Sequence, residues 1–411
     1  MLFYNVKYKL NREGRLMIVD ELISKFDSVF DKKCIKKTFF APGRVNLIGG
    51  HIDYHGGYVL PCAINFGTYM VVSIREDNKI LGYSNNFEEE GIIESNINEL
   101  NYLERDNWFN YPKGIIKTLI DKGYKISNGF NMLFFGNIPN GAGLSSSASL
   151  ELVILYALNN ILDLNMTTIE MVLIAKEVEN KYIGVNCGIM DQYAVAFGKK
   201  DNAILLDCEV NKHEYVKMEL KDNKIMIINT NKQRKLSDSK YNERRAESYS
   251  GLKILLENTN KKSISELKIE DFEKYNNKIS NEIERKRAKH VIYENNRTIS
   301  ACRLLKENDL INFGRLINES HNSLKNDYEV SCDELDYLVE LMTSDNSVLG
   351  SRMTGAGFGG CTVNIVEGKE IKRITEKVNK KYFEKFGFYP SVYVADVGDG
   401  CKEMRLESES N

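Results

Sequence analysis

Apolar positions recur along the chain at helical and strand spacings, and together they predict alternating elements. Residues 18–30 put Val19, Leu22, Ile23, Phe26, Val29 and Phe30 on one helical face. Residues 38–41 read as a short strand stopped by Pro42-Gly43. Strands are expected at 58–63, 68–75, 80–84 and 129–135. Ile115, Ile116, Leu119 and Ile120 predict a helix over 111–122. A third helical face covers 151–162, through Leu152, Val153, Leu155, Tyr156, Leu158, Ile161 and Leu162. Thr167 and Glu170 form a capping-box pattern for a helix that Gly184 stops. Residues 184–192 read as a loop or helix start, and 203–207 as a strand.

A second unit is expected from about residue 221, dividing the chain into 1–220 and 221–411. Its pattern predicts a strand at 225–230, a helix at 238–257 and a long helical stretch at 264–324. The many charges of that stretch indicate solvated outer faces. A helix at 333–343, a glycine-rich turn into a strand at 351–366, a helix at 371–386 and a last strand at 389–397 complete the chain. Neither repeats nor a low-complexity linker interrupt it.

Residues 139–150, Pro-Asn-Gly-Ala-Gly-Leu-Ser-Ser-Ser-Ala-Ser-Leu, join a strand to a helix. A helix start leaves backbone N–H groups without intrahelical partners, and its dipole favours an anion. Gly141 and Gly143 let a phosphate approach the backbone, and Ser145, Ser146 and Ser147 add hydroxyls. The alternative is a serine-capped helix after a glycine turn. Two familiar nucleotide motifs are excluded. Gly136 and Gly141 have the P-loop spacing, but Ala142 stands where its lysine must be. The dinucleotide fingerprint fails because Ser146 occupies the third glycine position. The loop at Gly355 runs into a strand instead of a helix, and the protein-kinase motifs are absent.

Composition narrows the class. Charged residues are well mixed and the net charge is −2, which gives no electrostatic case for nucleic acid or an acidic membrane. Eight cysteines are scattered without a C-x-x-C pair, a pattern suited to a reducing cytosol and not to structural zinc. His51 and His55 lie four apart, but the surrounding glycines argue against a zinc-binding helix. Residues 1–9 do not read as a signal peptide, and no apolar run is long enough to span a bilayer. A cytoplasmic protein is expected.

Three carboxylates are candidates for chemistry. Asp191 sits alone in an uncharged, partly apolar stretch, either as a sheltered base or as a helix cap. Arg44 and Asp53 bracket the polar, glycine-punctuated segment 44–57, which does not read as a core element. An arginine there can stabilise developing negative charge, or simply make a surface salt bridge. Glu179 lies on the capped helix, where it could equally be one more solvated carboxylate.

Four ordered motifs identify the chain as resembling the galactokinases within the GHMP kinases. They are Ala41-Pro-Gly-Arg-Val-Asn-Leu-Ile-Gly-Gly-His-Ile-Asp-Tyr54, Gly141-Ala-Gly-Leu-Ser-Ser-Ser-Ala-Ser149, Asn186-Cys-Gly-Ile-Met-Asp-Gln192 and Ser351-Arg-Met-Thr-Gly-Ala-Gly-Phe-Gly-Gly-Cys361. A weaker match covers 319–331, and the resemblance runs from about 39 to 399. It implies an α+β, two-domain GHMP kinase fold: a ribosomal S5 domain 2-like N-terminal domain, a ferredoxin-like C-terminal domain, and the active site in the cleft between them. It implies ATP and Mg²⁺ as cofactors, galactose as the sugar, and phosphorylation at its C1 hydroxyl; a monomer is expected. Arg44 and Asp191 become the catalytic pair. Ser84 and the loop residues Gly141, Ala142, Gly143, Leu144, Ser145, Ser146 and Ser147 become ATP contacts. Ser147 and Glu179 become magnesium ligands, and Gly50, His51, Ile52, Asp53, Gly188 and Tyr241 become sugar contacts. The intact Ser147-Ala148-Ser149 and Asp191 speak against a non-catalytic galactose sensor.

One position departs from the family. Its first motif usually reads Gly-Glu-His, and this chain has Gly49-Gly50-His51. The missing glutamate is implied to touch the sugar near its sixth carbon. Its loss either weakens galactose binding or admits a charged six-position, as in a galacturonate kinase; the other motifs favour galactose. N-Acetylgalactosamine is a further alternative substrate.

Overall fold

The computed structural model describes residues 14–30, 34–139, 142–232 and 237–404, with backbone alone for 14–17, 237 and 238. Helix α1 (Gly14–Val29) precedes β1 (Lys36–Asn46), β2 (Tyr58–Val59), β3 (Pro61–Ile74), β4 (Lys79–Ser84) and β5 (Ile93–Asn96). Then come α2 (Asn110–Asp121), β6 (Phe130–Gly136), α3 (Ser146–Ile161) and α4 (Thr168–Glu177), which a π-helical segment, Val178–Ile183, extends. Next are α5 (Met190–Ala196), β7 (Asn202–Asp207), β8 (Lys212–Lys217) and β9 (Asn223–Asn229). A helical block follows: α6 (Ser237–Glu257), α7 (Ile269–Tyr275), α8 (Glu282–Lys306), α9 (Leu310–Asn326) and α10 (Asp333–Thr343). Strands β10 (Val348–Thr354) and β11 (Cys361–Glu367), helix α11 (Ile371–Phe386), and strands β12 (Ser391–Ala395) and β13 (Lys402–Met404) end the described chain. No helix among these residues is long and apolar enough to cross a membrane.

Six strands form one sheet in the order β13-β1-β3-β6-β4-β5, antiparallel apart from the parallel pair β4/β6. Side chains alternate between its faces. Phe39, Ala41, Met70, Val72, Met132 and Phe134 face a core shared with α2, α3 and α4. Phe40, Tyr69, Val71 and Leu133 face the other way, onto Leu22 and Phe26 of α1.

The strand expected to stop at Pro42 instead continues to Asn46, with a bulge between Pro42 and Arg44. Pro42 is tolerated because β13 pairs β1 only at Thr38, Phe39 and Phe40, so no neighbour on that side needs its missing N–H. The segment from Arg44 onward is also not a surface loop. Val45, Leu47, Ile48 and Ile52 are fully buried.

The second sheet, β10-β11-β9-β12, is wholly antiparallel. Met226, Ile228 and Val366 on one face pack against α10 and α11 through Leu338, Met342, Ile374 and Val378. Ile225, Ile227, Val363 and Ile365 on the other pack with Phe313 and Ile317, and also with Val45, Leu47, Ile48 and Leu60. This shared core wedges the 44–57 segment between the two halves of the chain. The last strand crosses back: β13 pairs with β1 of the first sheet. A third sheet, β2-β7-β8, lies beside the first.

The helical stretch 264–324 is not continuous: α7, α8 and α9 divide it. Nor are its charges all solvated, because Arg287 and Glu294 of α8 are buried, as are the polar His290 and Asn295.

Candidate active site

The bulge after Pro42 aims Arg44 away from the sheet and at the start of α3. Its backbone N–H donates to Leu144 O at 3.1 Å. Its guanidinium holds Asp191 by two parallel bonds, Nε to Oδ1 at 2.8 Å and Nη2 to Oδ2 at 2.7 Å. Nη1 donates to Gly143 O at 2.8 Å. Asp191 is therefore no helix cap: Ile189 is the N-cap residue of α5, and no side chain caps that helix.

Ser145 precedes α3 in the left-handed region at φ 63°, a conformation uncommon for a residue with a Cβ. Its hydroxyl does not cap the helix but donates to Asp191 Oδ2 at 2.6 Å. The first-turn N–H groups of α3 thus lack a side-chain cap and suit an anion.

Beneath this loop lies a buried polar cluster. Glu179, near the start of the π-helical segment, accepts from Gln192 Nε2 at 2.6 Å and from Cys187 Sγ at 3.6 Å. Burial raises its pKa; a hydrogen bond with Ser147 opposes this, and the nearby Asp191 charge adds to it. Gln192 Nε2 also reaches Glu151 Oε2 at 3.3 Å, and burial, then Glu179, raises Glu151 well above the carboxylate range. Among the described residues no group of three or more His, Cys, Asp or Glu is arranged to hold a metal. The Ser147 hydroxyl and Glu179 carboxylate, hydrogen-bonded to each other, both line the cavity and offer two hard oxygens, the donor type that suits Mg²⁺ with the remaining positions filled by other oxygens.

Asp53 sits across from Asp191. Burial, then the charge of Asp191, pushes its pKa up to about 6, against N–H bonds from Tyr54 and Met190. Gly188 packs directly against it: a Cβ there would lie 1.7 Å from Asp53 Oδ2, so any side chain would displace that carboxylate. His51 bonds Tyr54 Oη at 2.9 Å, and Tyr54 Oη in turn meets Tyr328 Oη at 2.8 Å. Burial, then His290 and Arg352, holds His51 down to about 3, so its ring is neutral. Tyr241 packs against both His51 and Tyr54, at 5.6 Å between ring centroids.

The backbone at Gly49 and Gly50 is pinned from α8. Both N–H groups donate to Glu294 Oε1, at 3.0 and 3.1 Å, and His290 Nε2 donates to Gly50 O at 2.9 Å. Burial opposes the charge on Glu294, but Arg297, His290 and Arg352 outweigh it and hold its pKa down to about 2.

These groups border one cavity of about 380 Å³. Arg44, Asp191, Gly143, Leu144, Ser145, Ser146 and Ser147 line it, together with Glu179, Gly50, His51, Asp53, Gly188 and Tyr241. Three expected residues are not on its wall. Ile52 is fully buried, Ala142 is nearly so, and the Ser84 hydroxyl accepts Asn86 N–H at 3.2 Å. Gly141 lies outside the described residues. Sequence reasoning missed Arg352 and Tyr54 on the wall, and Glu294 and Gln192 behind it. Arg352 and Tyr54 stand inside quoted motifs, so closer attention to those could have found them. Glu294 gave no signal among the charges of α8.

Family models match three segments: the galactokinase galactose-binding signature at 24–74, the GHMP kinases N terminal domain at 110–199 and the GHMP kinases C terminal domain at 301–385. The chain is 52% identical over 389 residues to a galactokinase of Fusobacterium nucleatum, covering 94% of this chain and 100% of that one. It is 46% identical to a galactokinase of Bacillus subtilis at the same coverages. A crystal structure of Lactococcus lactis galactokinase complexed with galactose superposes with a TM-score of 0.91 at 44% identity, over 94% of this chain and 100% of that one. Methanococcus jannaschii mevalonate kinase shares the fold alone, at a TM-score of 0.64 and 20% identity, over 90% and 100% of the two chains. With its four motifs converging on one cavity and these relatives matching it nearly end to end, the chain belongs to the galactokinase family of the GHMP kinases.

Proposed function

We propose that this enzyme transfers the γ-phosphoryl group of ATP to the C1 hydroxyl of α-D-galactose, giving galactose 1-phosphate and ADP, the entry step of galactose catabolism. The observation that carries this reading is the Arg44–Asp191 pair, tied to the phosphate loop through Gly143 O and the Ser145 hydroxyl. Phosphoryl transfer depends mainly on positioning and charge stabilisation. Asp191 accepts the C1 hydroxyl proton as the O1–P bond forms. Arg44 keeps Asp191 in place and offsets the negative charge that develops between sugar and phosphate.

The loop N–H groups and the Ser145–Ser147 hydroxyls hold the phosphates, and Ser84 is a further nucleotide contact. Asp53, His51 and Tyr241 orient the sugar, with Gly188 leaving room for the Asp53 carboxylate. Ser147 and Glu179 are the residues that would hold Mg²⁺. That ion, when bound, neutralises phosphate charge that no P-loop lysine is present to meet. A cytoplasmic monomer of two units, meeting near residue 220, is the setting this reading assigns.

The test is ADP release over galactose, galacturonate, N-acetylgalactosamine and glucose, with and without a chelator. Turnover of galactose that stops with chelator and returns with Mg²⁺ is expected. No ADP from any sugar overturns the reading.

A further inference from the structure

Tyr328 is fully buried behind the cavity wall, and its hydroxyl joins three neighbours. Tyr54 Oη lies 2.8 Å away, Ser248 Oγ 3.0 Å and Arg244 O 3.3 Å. Tyr54 Oη reaches on to His51 Nδ1 at 2.9 Å, and Ser248 Oγ to His55 Nε2 at 2.8 Å. Five polar side chains thus form one hydrogen-bonded chain. It runs from His51 and Tyr54 on the 44–57 segment, through the turn after α9, to Ser248 on α6 and back to His55. Only His51 and Tyr54 of the five line the active-site cavity. Ser248 is fully buried, and His51 and His55 are each 6% exposed. The ring of Tyr328 also packs against His51 and His290, at 5.1 and 4.6 Å between centroids.

The turn that carries Tyr328 is clamped from α8. Arg287, 1% exposed, donates from Nη1 to Asp327 O at 2.6 Å and from Nη2 to Glu329 Oε2 at 2.7 Å, the residues on either side of Tyr328. Its Nε donates to Glu247 Oε2 at 2.9 Å, the residue before Ser248. One buried guanidinium therefore holds the chain neighbours of two links of the hydroxyl chain. Glu329 lies in the left-handed region at φ 56°, a conformation that a residue with a Cβ keeps only where its surroundings impose it.

We propose that Tyr328 is a positioning residue for the sugar: its hydroxyl, with Arg287 holding the turn on both sides, fixes Tyr54 and, through it, the ring and tautomer of His51. This rests on the reading above, in which His51 orients galactose. A neutral imidazole has one N–H and one acceptor nitrogen, and the bond made by one decides the state of the other. Burial keeps the His51 ring neutral. Its Nε2 has no partner at hydrogen-bond distance among the described residues, but the backbone of Ala356 favours a proton on the ring. With Nδ1 engaged by Tyr54, that proton belongs on Nε2, and the Tyr54 hydroxyl donates to Nδ1. Tyr54 then accepts from Tyr328, and Tyr328 from Ser248. Burial raises the pKa of both tyrosines, that of Tyr328 to about 12, so each hydroxyl keeps its proton at neutral pH. A ring free to flip or to exchange tautomers loses freedom when the sugar arrives, and a ring fixed beforehand does not.

The experiment combines steady-state kinetics with ¹⁵N NMR of the histidine-labelled full chain, for wild type, Tyr328→Phe, Arg287→Lys and Arg287→Met. In ligand-free wild type, His51 Nδ1 is expected to show the shift of an acceptor nitrogen and Nε2 that of an N–H. Tyr328→Phe keeps the ring and removes only the hydroxyl. It is expected to raise the Michaelis constant for galactose about tenfold and to leave that for ATP within about twofold. The Nδ1 signal should move towards that of an unbonded acceptor. Arg287→Met is expected to match this variant and Arg287→Lys to lie between it and wild type, since an ammonium keeps the charge but cannot reach all three acceptors. Should the Arg287 variants fail to fold, Tyr328→Phe decides alone. A proton on Nδ1 in wild type, an unchanged galactose constant in Tyr328→Phe, or an equal rise for both substrates overturns the assignment. Absence of galactose turnover in wild type overturns the galactose reading, and the ligand-free spectra then decide the hydroxyl chain without it.

Discussion

Arg44 and Asp191 are 147 positions apart in the chain and meet in a two-pronged ion pair on the wall of the cavity. The Arg44 side chain is 4% exposed and that of Asp191 is 30% exposed, so the more sheltered charge is paired with the one more open to the cavity. Changing Asp191→Asn keeps the shape but removes the charge and the proton acceptor. It should lower kcat by about two to four orders of magnitude while galactose and ATP still bind. Steady-state kinetics with calorimetric titration of each ligand separates the two effects, and unchanged turnover rules out the proton-accepting role.

Gly188 and Asp53 make a prediction about the sugar alone. A Cβ at Gly188 would stand 1.7 Å from Asp53 Oδ2, so Gly188→Ala must push that carboxylate aside. A displacement of this size should raise the Michaelis constant for galactose by about a hundredfold, with that for ATP nearly unchanged. Equal effects on both substrates would mean that the loop as a whole has moved.

The pH dependence of sugar binding should follow Asp53. Its pKa is raised to about 6, while His51 and His55 are held down to about 3 and His290 to about 4, all chiefly by burial. The three imidazoles therefore stay neutral through the working range. A carboxylate that accepts bonds from sugar hydroxyls must be ionised, so galactose affinity should fall about tenfold per pH unit below about pH 6. Stability moves in the opposite sense. The fold favours protonated Asp53, so this contribution is complete below the ordinary carboxylate range and is lost as pH rises through about 6. Calorimetric titration of galactose across this range tests the first claim, and flat affinity overturns it.

Gln192 separates two buried carboxylates, donating to Glu179 at 2.6 Å and to Glu151 at 3.3 Å. Gln192→Leu removes the amide that donates to both, leaving Glu151 without its donor and Glu179 with Ser147 and Cys187 alone. A loss of about 1–3 kcal/mol in stability is expected, together with a higher Mg²⁺ concentration for half-maximal activity. Chemical denaturation and a Mg²⁺ titration read the two effects separately. A variant as stable as wild type would mean that water replaces the amide.

Much of the fold was legible from local pattern. The helices over Asp333–Thr343 and Ile371–Phe386 begin and end where their periodicity predicts, and Thr167 with Glu170 forms the full capping box. These features depend on residues within a turn or two of each other. Legibility failed where a distant partner overrides the local signal. Pro42-Gly43 reads as a strand stop, yet β1 continues because its neighbour on one side ends first. The charges of α8 read as solvated, yet Glu294 and His290 turn inward to bond the backbone of Gly49 and Gly50.

The sequence by itself determined the family and the residue types that gather at the cavity, because each motif carries its chemistry in adjacent positions. Tertiary structure alone decided which of those motifs touch. Only the shared core brings the 44–57 segment between the two sheets, so that Arg44 meets Asp191 and the glycine at 50 comes up against Arg352. The absence of the glutamate could be read from one position. That the Arg352 guanidinium stands where its side chain would begin could not, because contact inside a protein is set by distance through space and not by separation along the chain.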